Sequence, residues 1–256
     1  VNKREFLKGA IIFFPAAGVL QALALKADGK EMSLSATTSY DQSQHWYGMG
    51  VDVDKCIGCN RCVEACKAEN NVPDEPFFFR TWIERYQIHQ DGEVTVECIS
   101  TKTPEQRLAE QAEPLDPTVV HTFFVPKLCN QCAHPPCVQV CPVGATFQTV
   151  DGVVLVDELR CIGCRYCIQA CPYGARYLNP MTRTADKCTF CYHRITKGML
   201  PACVEVCPTE ARVFGDLRGQ ADRLVRFLED YRVNVLKPDL NTKPKVFYAH
   251  LDGEVR

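Results

Sequence analysis

Sixteen of the seventeen cysteines in this chain fall into four groups of four, and no other feature restricts the fold as strongly. Cys161 to Pro172 reads Cys-Ile-Gly-Cys-Arg-Tyr-Cys-Ile-Gln-Ala-Cys-Pro, a C-x2-C-x2-C-x3-C-P run. Three thiolates on a tight loop, with a fourth on the helix that follows, is the arrangement that wraps an iron–sulfur cube. The other groups are Cys56, Cys59, Cys62, Cys66; Cys129, Cys132, Cys137, Cys141; and Cys188, Cys191, Cys203, Cys207. Cys98 stands apart, in a strand-like stretch, and is expected to be a buried thiol.

Two other uses of grouped cysteines compete. Disulfides staple small loop-rich scaffolds in oxidising surroundings, whereas cysteines three residues apart suit one centre better than distant strands. Structural zinc also uses C-x2-C pairs. It needs neither a third cysteine at a further x2 nor a C-P ending, so a zinc module is the remote alternative. Composition excludes more. The formal net charge of −2 provides no basic field for nucleic acid. At 256 residues and 46% apolar, the chain can bury a core as one large domain or two small ones.

In two-cluster ferredoxins the fourth cysteine of each run ligates the other cluster. Four runs then predict four [4Fe–4S] clusters in two exchanged pairs. The middle groups pair as Cys129, Cys132, Cys137 with Cys171, and Cys161, Cys164, Cys167 with Cys141. The first and last groups pair around them, as Cys56, Cys59, Cys62 with Cys207, and Cys188, Cys191, Cys203 with Cys66. His134 and His193 lie inside the relaxed groups, where four thiolates are already present, so outer or surface roles are expected for both. Arg160, Arg165, Lys187, Arg194 and Lys197 lie beside cysteines and are candidates to offset cluster charge.

Val51-Asp52-Val53-Asp54 leads into the first group as Val153-Val154-Leu155-Val156-Asp157 leads into the third, an internal repeat of strand, cysteine loop and short helix. Gly58 and Gly163 occupy equivalent loop positions, where left-handed backbone is expected. Pro142, Pro172 and Pro208 each follow a fourth cysteine and should end its helix. The first group has Lys67 there instead. Gly48-Met49-Gly50 is only a fragment of a dinucleotide fingerprint and carries no weight.

The N-terminus reads as an export signal over residues 1–25. Lys3-Arg4-Glu5-Phe6-Leu7-Lys8 precedes an apolar run shorter than the about 20 residues of a spanning helix. It resembles the twin-arginine pattern, with Lys3 where the first arginine belongs. Retention as a membrane anchor is the other option. Residues 26–47 read as a linker and 48–250 as the cluster domain. An insertion lies near 75–121, with strands at 77–86 and 93–98 and a polar loop at 104–117 containing a short helical piece. A surface helix is expected within 217–233, a strand within 243–248, and a tail at 251–256.

Together the Cys-Asn-Gln-Cys-Ala-His-Pro-Pro-Cys loop at 129–137, Cys-Pro-Tyr-Gly-Ala-Arg-Tyr at 171–177, and Lys-Cys-Thr-Phe-Cys-Tyr-His-Arg at 187–194 resemble one family. It is the electron-transfer subunits of complex iron–sulfur molybdoenzymes, the polysulfide, thiosulfate, tetrathionate and dimethyl sulfoxide reductase type. The resemblance spans about residues 48–250 and extends to Pro201-Ala202-Cys203-Val204 and Phe214-Gly215-Asp216-Leu217. It implies an α+β body of two fused ferredoxin-like dicluster modules with loop insertions, and a non-catalytic chain that relays single electrons. It also implies a molybdopterin-type catalytic subunit, an integral-membrane quinone-reactive subunit, and a periplasmic or extracytoplasmic location. Similar subunits serve periplasmic hydrogenases and molybdenum-free respiratory complexes, which stand as alternatives. A catalytic cluster with an open iron site would need a group with three cysteines, and every group here has four.

Overall fold

The computed structural model describes residues 40–75, 77–112 and 116–255. The expected export signal, residues 26–39 of the linker, and Arg256 of the tail lie outside them. Among the described residues no helix is long and apolar enough to cross a membrane.

In chain order the elements are β1 (Tyr47–Asp52), α1 (Arg61–Asn70), β2 (Thr81–His89), β3 (Val94–Cys98), α2 (Pro104–Ala112) and β4 (Val119–Leu128). Then come α3 (Pro136–Gln139), β5 (Thr146–Gln148), β6 (Val154–Val156), α4 (Tyr166–Gln169), β7 (Tyr177–Leu178) and β8 (Ala185–Asp186). The last third holds α5 (Tyr192–Ile195), α6 (Ala202–Glu205), β9 (Arg212–Asp216), α7 (Arg223–Asp230), β10 (Val233–Asn234) and β11 (Val246–Ala249). This mixed content is what the α+β expectation requires.

The main sheet has the order β10-β11-β1-β9. Its centre is β1, buried along its whole length, antiparallel to β9 and parallel to β11. Burial on both faces explains why β1 does not show a clean polar–apolar alternation. Helix α7 covers this sheet with Leu224 and Phe227. Asp222 caps it by accepting from the Leu224 N–H at 2.7 Å.

The fourth-cysteine prolines act as expected. Helices α3, α4 and α6 are four residues each and stop before Cys141, Cys171 and Cys207, each of which is followed by proline. With Lys67 in place of proline, α1 continues past Cys66 to ten residues.

Two domain expectations, the linker and the tail, differ from what the structure shows. Residues 40–47 are not linker. Tyr40 and Tyr192 both donate to buried Asp151, and Asp216 accepts from the Trp46 N–H at 2.8 Å. Their anchors are far away in sequence, so the polar composition of the segment concealed them. The insertion carries strands where they were expected, β2 near 77–86 and β3 near 93–98. It forms the sheet β3-β2-β4, whose Ile83, Tyr86, Phe123, Val125 and Leu128 enter the main core. Its expected loop contains α2, held by ion pairs from Lys102 and Arg85 to Glu110. The tail also packs, with Val255 joining the same core.

Candidate metal centre

All four loops share one backbone device. The residue before the second cysteine has positive φ in each: Gly58 (68°), Gln131 (45°), Gly163 (66°) and Phe190 (54°). Glycine occupies the two loops nearer the surface. The two inner loops use side chains that the core holds in place. Gln131 is fully buried, accepts from the Val154 N–H and donates to the Cys188 carbonyl, both at 2.7 Å. Phe190 packs edge-on against Phe214. Those contacts offset the strain of left-handed backbone at a non-glycine residue.

The cysteines partition by packing. Cys56 has Cys62 and Cys207 as charge neighbours, and Cys59 borders Cys62. Burial pushes the Cys56 thiol up to about 11, against the pull of the Gly58 N–H and Arg212. Cys66 faces Cys188, Cys203 and Cys191, and burial raises its thiol well above the usual range. Asn70, reachable only because α1 is long, donates to the sulfurs of both Cys66 and Cys191, at 3.6 and 3.7 Å. Cys129, Cys132, Cys137 and Cys171 line one small enclosed cavity with Arg176. Burial pushes Cys132 there up to about 12, with Cys129, Cys137 and Cys171 adding to the effect.

The remaining run is less enclosed. Cys161 and Cys167 share a small core with Cys137, and α3 packs on α4. The Cys161 sulfur accepts from the Ala185 N–H and the Cys141 sulfur from the Thr146 N–H, both at 3.4 Å. Burial would raise the Cys141 thiol, but the N–H groups of Thr146, Val143 and Ala145 hold it below the usual range. Cys59 and Cys164 are exposed, whereas Cys66, Cys188, Cys191 and Cys203 are all buried. Among the described residues no group of three or more His, Cys, Asp or Glu is arranged to hold a single metal ion.

The cations divide differently from expectation. Arg165 and Lys197 are exposed, and Arg160 is 71% exposed beside Asp157. Arg194 is committed to Glu69 and Glu205. Only Lys187 of the five is fully buried, its Nζ donating to the Val154 and Cys188 carbonyls. Sequence reasoning missed Arg176, Arg212 and Lys245, all buried. Burial lowers the Lys245 ammonium to about 8, with Asp151, Cys129 and Cys132 opposing. His193 is exposed and contacts Glu69 at 2.6 Å, and His134 is exposed. Cys98 is only half-buried, at the end of β3.

The donor set fits anionic iron–sulfur clusters. Thiols gather in fours, their sulfurs accept N–H bonds, and buried guanidinium atoms lack protein partners: Nη1 of Arg212, and Nε and Nη2 of Arg176. Residues 120–217 and 55–145 each match a family described as a 4Fe-4S dicluster domain. The chain is 40% identical over 253 residues to the B component of tetrathionate reductase from Salmonella typhimurium, covering 98% of this chain and 89% of that one. It is 46% identical over 203 residues to a protein of the same description from Archaeoglobus fulgidus, covering 79% and 81%. Against the B component of polysulfide reductase from Wolinella succinogenes it is 37% identical over 202 residues, covering 78% and 92%. Two dicluster matches and likeness to these proteins over 78–98% of this chain agree with the cysteine packing: the chain therefore belongs to the 4Fe–4S dicluster iron–sulfur subunits of tetrathionate, polysulfide and dimethyl sulfoxide reductase-type complexes.

Proposed function

We propose that this chain relays single electrons through four [4Fe–4S] clusters between a membrane quinone-reactive subunit and a molybdopterin-type catalytic subunit, on the extracytoplasmic side of the membrane. Cys56, Cys59, Cys62 and Cys207 hold the first cluster; Cys66, Cys188, Cys191 and Cys203 the second. Cys129, Cys132, Cys137 and Cys171 hold the third; Cys141, Cys161, Cys164 and Cys167 the fourth. Each bound cluster supplies a one-electron couple. The chain's own work is to space these couples, keep water from them and supply N–H groups and positive charge to their sulfurs.

The observation that carries this reading is the way the cysteines sort in space. The first group packs with the last although Cys66 and Cys203 are 137 positions apart. A set of independent zinc knuckles has no need of that exchange. Cys188 also neighbours Cys129, which sets the second quartet against the third. The order along the array is therefore first, second, third, fourth, with exposed Cys59 and Cys164 at its two ends. Electrons would enter and leave there. The near full-length likeness to a tetrathionate reductase component favours a catalytic partner acting on an oxidised sulfur compound. The export reading of residues 1–25 supports the extracytoplasmic assignment.

Iron and acid-labile sulfide analysis of the purified complex, with low-temperature electron paramagnetic resonance, tests the proposal. About sixteen iron atoms per chain are expected, four for each cube. About twelve or fewer would overturn the four-cluster assignment.

A further inference from the structure

Two six-residue segments of this chain repeat a pattern that ligand spacing does not require. Cys171-Pro-Tyr-Gly-Ala-Arg176 and Cys207-Pro-Thr-Glu-Ala-Arg212 each start at a fourth cysteine and end five residues later at an arginine. Gly174 (φ 62°) and Glu210 (φ 53°) turn the chain at the same step in left-handed backbone. Both turns return the arginine to the interior, where Arg176 is 5% and Arg212 2% exposed.

The two side chains are placed alike. Arg212 Nη2 donates to the buried Thr81 hydroxyl at 2.8 Å, and Arg176 Nη1 to the buried Thr146 hydroxyl at 3.3 Å. Among the described residues neither forms an ion pair with a carboxylate. Each instead has cysteines of two quartets as its charge neighbours: Cys56, Cys62 and Cys203 for Arg212, and Cys129, Cys137 and Cys167 for Arg176. Arg212 Nη2 lies 3.4 Å from the Cys62 sulfur. A guanidinium stays charged at any pH a protein meets, and burying one without an anion is costly. A purely structural arginine would have its remaining N–H groups satisfied by protein acceptors, or would sit beside one quartet. Lys187 also borders two quartets, through Cys188 and through Cys129 and Cys137, but it gives its ammonium to two backbone carbonyls.

We propose that Arg212 and Arg176 are the potential-setting cations of the array, each shared by the two clusters of one pair. The inference rests on the four-quartet assignment above. A fixed positive charge stabilises the added electron on either neighbour, so each arginine raises the reduction potentials of two clusters together. Arg212 serves the first and second quartets, and Arg176 the third and fourth.

The test is a redox titration of the purified complex, followed by low-temperature electron paramagnetic resonance, for wild type, Arg212→Gln, Arg212→Lys, Arg176→Gln and Arg176→Lys. In Arg212→Gln two of the four signals shift to lower potential. Each shift is large enough to change the reduced-to-oxidised ratio at the wild-type midpoint about tenfold, or about 59 mV for one electron. In Arg176→Gln the other two signals shift. The lysine variants, which keep the charge, retain most of the wild-type values. The proposal is overturned if one signal moves alone, if all four move, if none moves, or if lysine behaves as glutamine at full iron content. Should one glutamine variant lose its iron, the remaining variant at the other site decides. A wild-type iron content well below sixteen would instead sink the four-quartet assignment.

Discussion

The half of the molecule built from the first and last cysteine groups differs from the half built from the middle two. The first is attached to a sheet whose Met49, Val51, Val246 and Tyr248 have no exposed surface. The second rests on two hairpins with strands of three and two residues, too short to persist alone. Its own small core comprises Cys137, Val154, Cys167 and Ala185, so half of its buried members are cysteines. In one half an apolar core positions the cysteines. In the other the cysteines are much of the core, and bound clusters would have to supply what the apolar surface does not.

Stripping the iron is therefore the strongest probe of this contrast. Hydrogen exchange on the metal-free chain should show residues 137–186 losing protection while the β9-β1-β11 strands keep theirs. Loss of both regions together would mean that the halves are one cooperative unit. The next largest effect is expected from removing a crossed ligand. Cys171→Ser should cost about four iron atoms and erase the cluster begun at Cys129 before that of Cys161. Cys207→Ser should act likewise on the Cys56 cluster, with a smaller fall in melting temperature because the sheet persists. If Cys171→Ser erased the Cys161 cluster alone, the exchange would be wrong.

Lys67→Pro would make the first run resemble the other three. It should shorten α1, remove the Lys67 bonds to the Pro73 and Glu75 carbonyls, and detach Asn70 from two sulfurs. A cost of about 3 kcal/mol is expected in denaturant unfolding. Unchanged stability would mean that helix length is not what distinguishes this run. The smallest effects separate the two loop glycines. A methyl at Gly163 would meet the Arg183 backbone oxygen at 2.6 Å, and one at Gly58 the Phe124 ring at 2.7 Å. The ring can swing and the backbone cannot. Gly163→Ala should cost about 2–3 kcal/mol and Gly58→Ala about 1, both in unfolding midpoints. Equal costs would show the two loops to be equally confined.

The four cysteine groups and the dicluster character were legible because thiolate coordination dictates spacing, and spacing survives in a linear sequence. Strand β1, strand β6 and helix α7 were legible for the same kind of local reason. What was hidden depends on remote partners. Residues 40–47 look like linker until Asp151 and Asp216 are beside them. The strands of the insertion were legible, but their pairing partner β4 was not. The arginines were hidden by a base expectation, that arginine is mostly exposed. Choosing cations by their distance along the chain from a cysteine selected Arg160, Arg165 and Lys197, which face solvent. The signal that finds Arg176 and Arg212 is the repeated five-residue step from a cysteine through a proline turn.

The position of β1 has a consequence for biosynthesis. Its hydrogen-bonding neighbours are β9 and β11, drawn from residues 212–216 and 246–249. A nascent chain still lacking that last strand carries its first cysteine run on a strand with one edge unpaired. Pairings this distant form late and slowly. The main sheet thus closes only once residues 246–249 have left the ribosome, after all four cysteine groups have been made. The strand order makes every cysteine group available before the central strand of the sheet gains its second neighbour.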